Sequence, residues 1–173
     1  MTILAVFIPL LVFGTEWHLE TSDTEVTFAC KIPLQHNSDS VIGYLWQPDI
    51  LEKLSSKISN VTILSSSNDS QKVAYTFSFL GYSSQAVYIR QRSPLNSIEV
   101  KQVSFQSNWD LFPKPISSQG EYVIDHSHEN PILLYSQTVV FDRKLRLWDI
   151  FYARVVLSRT VSDLHTIVKE FRD

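Results

Sequence analysis

The stretch whose reading decides the fold is the last one, LRLWDIFYARVVLSRTVSDLHTIVKEFRD, residues 145–173. Within it Ile150, Ala153, Leu157, Val161, Leu164, Val168 and Phe171 recur at steps of three or four, the spacing that gathers apolar side chains along one side of an α-helix. The second half is plainly amphipathic, with Arg159, Asp163, Lys169 and Glu170 on its wet side. The first half carries more: Leu147, Trp148, Phe151, Tyr152, Val155 and Val156 widen the apolar surface to most of the circumference. A helix resting on one sheet needs only the stripe. The surplus is either covered by other elements or faces an internal space that a greasy molecule can enter.

Upstream of this helix the pattern has period two. EVTFACKI (25–32) sets Val26, Phe28, Cys30 and Ile32 on one side and Glu25, Thr27, Ala29 and Lys31 on the other, a strand with one buried face. SDSVIGYLWQPDILEKLSSKI (38–58) then predicts two short helices. Asp39 or Ser40 caps the first, Pro48 opens the second, and Ile50, Leu51, Leu54 and Ile58 share a face of the second. Alternation returns after Ser59, first in NVTILSSS and then in KVAYTFSFLGY, a second strand in which Val73, Tyr75, Phe77 and Phe79 share one face. Four more runs, SQAVYIRQR, SIEVKQVSF, GEYVIDHSH and ILLYSQTVVF, read as strands, most joined by short turns of the kind antiparallel pairing needs. The sum is α+β: about seven antiparallel strands, two short helices after the first, and a long C-terminal helix lying across the sheet.

Composition narrows the function. The chain has 173 residues, 44% of them hydrophobic and 19% charged, enough for one domain with an ordinary core. A net charge of -3 provides no basic field, so nucleic acid is not an expected partner. The single cysteine excludes an internal disulfide, and no Cys/His set has the spacing of a zinc site. Residues 1–14, MTILAVFIPLLVFG, contain an uncharged run from Ile3 to Phe13, shorter than the about 20 residues of a membrane span. They suit the hydrophobic part of a secretory signal processed near Gly14 or Thr15, which would place a domain of residues 15–173 in the periplasm or outside the cell. No Lys or Arg precedes the run, and a retained apolar segment touching a membrane is the other reading.

TEVTFACKIPL leading into SDSVIGYLWQPDILEKL, the hairpin GEYVIDHSHENPILLYSQTVVFD and the terminal helix together resemble the helix-grip fold of the START-like, or SRPBCC, superfamily. That group includes polyketide cyclases, the coenzyme Q-binding family and lipid-transfer domains. The resemblance spans residues 24–173 and implies a curved seven-stranded sheet gripping the C-terminal helix, with a hydrophobic cavity between them. It implies binding or transport of a hydrophobic small molecule or lipid, with no cofactor and more often without chemistry. A cyclase- or hydrolase-like enzyme in the same cavity, and an interaction module whose cavity is filled by its own side chains, are the alternatives.

Phe28, Tyr75, Phe77 and Phe79, with Trp148, Phe151 and Tyr152 from the helix, are the candidate cavity wall, since aromatic side chains offer large apolar area and tyrosine adds a hydroxyl. Arg143, Lys144 and Arg146 stand at the helix start, where the helix dipole disfavours cations by a few tenths of a kcal/mol. They are candidates for receiving a phosphate or carboxylate headgroup at a pocket entrance, with Asp142 as a helix cap; transient membrane contact is a separate expectation. His126 and His128 could chelate a metal, but the Glu129-Asn130-Pro131 turn makes them an exposed hairpin tip without a third ligand. Cys30 alternates with inward apolar residues and reads as an inert core thiol. No catalytic triad, phosphate-cradling loop or dinucleotide fingerprint is present.

Overall fold

The computed structural model describes residues 15–34, 38–54, 58–79, 82–94, 96–108, 110–127 and 129–171. The expected signal segment, residues 1–14, lies outside them. In chain order come strands β1 (Glu16–Thr21) and β2 (Glu25–Pro33), helices α1 (Ser38–Trp46) and α2 (Pro48–Leu51), and a 3-10 turn (Glu52–Leu54). Strands β3 (Ile58–Ser66), β4 (Ser70–Phe79), β5 (Tyr82–Ser93), β6 (Ser97–Ser107), β7 (Pro115–Asp125) and β8 (Ile132–Phe141) follow, and α3 (Leu147–Glu170) closes the fold. All eight strands form one antiparallel sheet in the order β1-β2-β8-β7-β6-β5-β4-β3. This is the helix-grip arrangement, with one strand more than the seven expected.

The additional strand is β1. EWHLET alternates Trp17 and Leu19, both buried, with exposed Glu16, His18 and Glu20, a pattern too short to stand out beside the apolar run before it. Three local expectations are corrected. Asp39 and Ser40 lie inside α1, which begins at Ser38. The second helix ends at Leu51, and Ile58 belongs to β3. β7 begins at Pro115, five residues before Gly120, because PISSQ pairs with the end of β8.

Register defines the inner, helix-covered face of the sheet. Leu19, Phe28, Gln137, Gly120, Val100, Arg90 and Gln71 are successive cross-strand partners, a single row from β1 to β4. Beside it runs a second row, Trp17, Cys30, Tyr135, Tyr122 and Ile98, all buried. Gly120 marks a close approach of β7 and β8: a Cβ there would lie 2.8 Å from the Ser136 carbonyl oxygen. Register shifts in β3 and in the β5–β6 and β7–β8 pairs add local twist, as bulges do. The tight β5–β6 turn uses Asn96 at φ 59°, the left-handed region that asparagine tolerates.

The main core lies between this face, α1, α2 and the second half of α3. Val161, Leu164, Ile167 and Val168 of α3 are buried with Phe28, Ile32, Leu45 and Leu133, and the Phe171 ring packs on Tyr44 at 5.0 Å. Burying each such side chain contributes roughly 1.5–3 kcal/mol, so this half of the helix is firmly attached. A second, separate cluster sits at the far edge of the sheet, where Leu51, Val73 and Tyr75 pack with Ile58, Val61, Ile63 and Phe77.

Candidate ligand-binding face

Between the two clusters the inner face is incompletely covered. In the row from Phe28 to Gln71 the ends are buried, yet Gln137, Gly120 and Val100 in the middle are only half-buried. In the next row Val26, Val73 and the central Ser118 are buried, while Val139, Gln102 and Tyr88 are half-buried. A solidly packed sheet has the opposite profile to the first row, with its centre the driest part. The first half of α3 matches this opening. From Ile150 to Thr160 no residue is buried and only Phe151 and Arg159 are exposed, so the helix is half-covered on nearly every side. It is partly screened from outside by the β6–β7 connection, where Phe112 lies against Tyr152 at 4.7 Å.

The accessible band is apolar with a polar thread. Val100 and Val139 supply apolar wall. The Gln137 amide donates to Ser118 Oγ at 2.8 Å and its carbonyl accepts from the Tyr135 hydroxyl at 2.8 Å. Tyr88 is hydrogen-bonded to Ser118, and the Gln102 amide donates to the Pro115 carbonyl at 3.2 Å. Burial pushes the phenols of Tyr88, Tyr122 and Tyr135 up and that of Tyr75 to about 12, so all stay protonated at neutral pH. They can donate hydrogen bonds but do not serve as bases there. Burial likewise pushes the Cys30 thiol up to about 12, which keeps it unreactive.

Arg90, 1% exposed, is the largest fully buried side chain. Its guanidinium donates to the Leu45 carbonyl at 2.6 Å and to Gln71 Oε1 at 2.7 Å, and lies 5.1 Å from the centre of the Trp46 ring. Gln71 in turn donates to the Trp46 carbonyl at 3.2 Å. A cation thereby caps the C-terminus of α1, where the helix dipole favours positive charge, and ties α1 to β4 and β5.

The candidates named from sequence are distributed over three places. Phe28 lies in the main core, 5.9 Å from both the Trp17 and Tyr135 rings. Tyr75 and Phe77 belong to the far cluster, with Tyr75 edge-on to Tyr88 at the border of the band. Phe79 ends β4, and its side chain lies outside what is described. Tyr152 is half-buried on Phe112, whereas Trp148 and Phe151 are solvent-facing and in edge contact with each other at 5.8 Å. Arg143 binds Asp149 at 2.9 Å and the Leu111 carbonyl at 3.0 Å, Lys144 pairs with Asp23 at 3.1 Å, and Arg146 is exposed at the N-cap of α3. Asp142 does not cap the helix; it accepts from the Lys114 backbone N–H, and Asp149 accepts from that of Arg146. His126 is exposed beyond the end of β7, His128 lies outside the described residues, and no metal-holding cluster occurs among the described ones.

Arg90, Gln102 and Gln137 were not singled out from sequence. The available signal was register: once Val73 and Tyr75 face inward, their partners Tyr88 and Ala86 do too, and Arg90 follows by alternation.

No family model and no curated protein matches the chain. Solved structures share its fold. The STAR-related lipid transfer protein (fragment 25–204) from Xanthomonas axonopodis superposes with a TM-score of 0.66 at 12% identity, covering 93% of this chain and 97% of that one. The Zhui aromatase/cyclase from Streptomyces sp. R1128 gives 0.62 at 15%, covering 85% and 92%. The di-domain ARO/CYC StfQ from the steffimycin biosynthetic pathway gives 0.67 at 16%, covering 86% of this chain and 51% of that protein, so the chain spans about half of StfQ. The fold is therefore START-like.

Proposed function

We propose that the chain binds a hydrophobic small molecule or lipid between the inner face of β5–β8 and the first half of α3, and carries it without converting it. The observation behind this reading is the band of half-buried residues at the centre of the sheet, Gln137, Gly120 and Val100, flanked by closed cores, together with a first half of α3 whose residues 152–158 are only half-buried. Val100 and Val139 suit an apolar body, while the thread from Tyr88 through Ser118 to Gln137 suits one carbonyl or hydroxyl on it. Relatives in fold named for lipid transfer and for aromatase/cyclase action handle ligands of this general kind.

Native mass spectrometry of protein purified from its own host should detect a retained small mass, and an environment-sensitive hydrophobic dye should bind and be displaced by that compound. Val139→Trp, which fills the band, should lower dye uptake at least ~10-fold while unfolding stays cooperative. Val103→Trp on the outer face should leave uptake unchanged. Empty protein that also ignores the dye would end the proposal, as would a ligand recovered chemically altered.

A further inference from the structure

One buried polar atom on the band has no partner. Gln102 of β6 stands opposite Tyr88 of β5, and its side-chain carbonyl oxygen, Oε1, is buried and accepts no hydrogen bond. The other end of the amide is committed, because it donates to the Pro115 carbonyl at 3.2 Å. Turning the amide over would set carbonyl against carbonyl, so a flip cannot pair Oε1. The backbone around it is irregular as well. β6 and β7 stop pairing at Lys101 and Gln119, one residue before Gln102, although β6 runs on to Ser107. The β5–β6 register shifts between Val87 and Tyr88, passing over Val103, and β7 has its own shift between Pro115 and Ser117. A parted ladder and two bulges thus meet at one side chain, and bulges re-aim residues beside binding sites. The other such orphans among the described residues, Thr15 Oγ1 and Trp17 Nε1, lie at the β1 edge of the sheet, away from the band.

We propose that Gln102 Oε1 takes a hydrogen bond from the carried molecule, and that the ligand is an apolar compound bearing an uncharged O–H or N–H rather than a ketone, ether, carboxylate or plain hydrocarbon. This rests on the binding reading above and narrows it. Gln102 as a residue is half-buried, in the row where Val139 and Tyr88 are half-buried too, so its side chain borders the space assigned to the ligand. A buried carbonyl without a donor is costly, and a site that holds one discriminates against any ligand that leaves it bare. A ketone or an ether would set a second acceptor against Oε1, and a carboxylate would add charge to the same clash. A cationic donor is no better matched, since the residues around Gln102 on this face, Val100, Ser118, Gln137, Val139 and Tyr88, include no carboxylate to neutralise it.

The test is displacement of the hydrophobic dye from the full chain, at neutral pH, by two matched pairs of uncharged probes: 2-naphthol with 2-methoxynaphthalene, and indole with 1-methylindole. Methylation removes the donor and makes the molecule more apolar, so ordinary partitioning favours the methylated partner. Wild type should instead hold the donor at least ~10-fold more tightly in one pair or both. Gln102→Met keeps the length of the side chain and removes the acceptor, and it should bring the two affinities of that pair within ~2-fold of each other. A preference set by room for the methyl group would survive this substitution. The wild-type comparison decides even where the variant does not fold. Dye uptake with no preference in either pair, the result expected if a water already pairs Oε1, overturns this inference and leaves the carrying proposal standing. A preference that Gln102→Met retains does the same. Wild type that takes up neither the dye nor the probes overturns both.

Discussion

Asp149 holds the beginning of α3. Burial pushes its carboxyl up, but the Arg146 backbone N–H, the Arg143 hydrogen bond and the charges of Arg143 and Arg146 together outweigh that and hold it below the ordinary carboxylate value. A carboxyl depressed in the folded state adds stability that is complete above the unfolded value of about 3.9 and disappears as pH falls through the folded value. Asp149→Asn keeps an acceptor for Arg146 and loses the charge. It should cost about 1 kcal/mol at pH 7 in urea unfolding, with the deficit shrinking below about pH 4. Arg90 is the opposite case, a cation whose acceptors, the Leu45 carbonyl and Gln71 Oε1, are neutral. Arg90→Met removes the hydrogen bonds to the Leu45 carbonyl and Gln71 Oε1 and should cost at least ~2 kcal/mol, seen as a lower urea midpoint with an unchanged slope. Arg90→Lys should recover only part, because one ammonium cannot span both Leu45 O and Gln71 Oε1. Nothing in SQAVYIRQR itself announces this role. Val87 and Ile89 are the more apolar set and invite an inward reading, and only pairing with Val73 and Tyr75 turns Ala86, Tyr88 and Arg90 to the inner face.

Elements with strong periodicity were readable from sequence. The stripe from Ile150 to Phe171, the alternation of EVTFACKI and the proline opening α2 all reappear in the structure, because each is a local pattern that a single buried face imposes. Boundaries set by partners were not. β7 extends back to Pro115 only because the end of β8 is there to pair with it, and β1 exists because β2 offers it an edge. Gly120 belongs to this scale, since its role is the approach of two strands. Gly120→Ala would set a methyl 2.8 Å from the Ser136 carbonyl oxygen and force β7 and β8 apart. The expected cost is about 1–3 kcal/mol, or roughly 2–4 °C of melting temperature per kcal/mol, and calorimetry against a Ser136→Ala control, which leaves the carbonyl in place and should not rescue, measures it.

For the molecule as a whole, the expectation of a space under α3 rests on surplus apolar surface on one helix, whereas the half-buried band on the sheet depends on how two clusters divide the inner face, a long-range result that no window of sequence contains. The aromatic residues that suggested it serve different ends: Phe28 closes one core, Tyr75 and Phe77 the other, and Trp148 and Phe151 point outward. α3 is consequently one continuous helix with two mechanical regimes. Its C-terminal turns are clamped by Val161, Leu164, Ile167 and Val168, whereas residues 150–160 include no fully buried side chain and Ile150 and Leu157 pack on the core only part-buried. Amide hydrogen exchange should therefore be graded along a single rod, with residues 161–168 trading protons only in global unfolding and residues 150–158 opening through cheaper local excursions. Uniform protection along the rod would contradict this. If a ligand is carried as proposed, the stretch that yields to it is residues 150–158, held between the cap at Asp149 and the packed turns from Val161 onward.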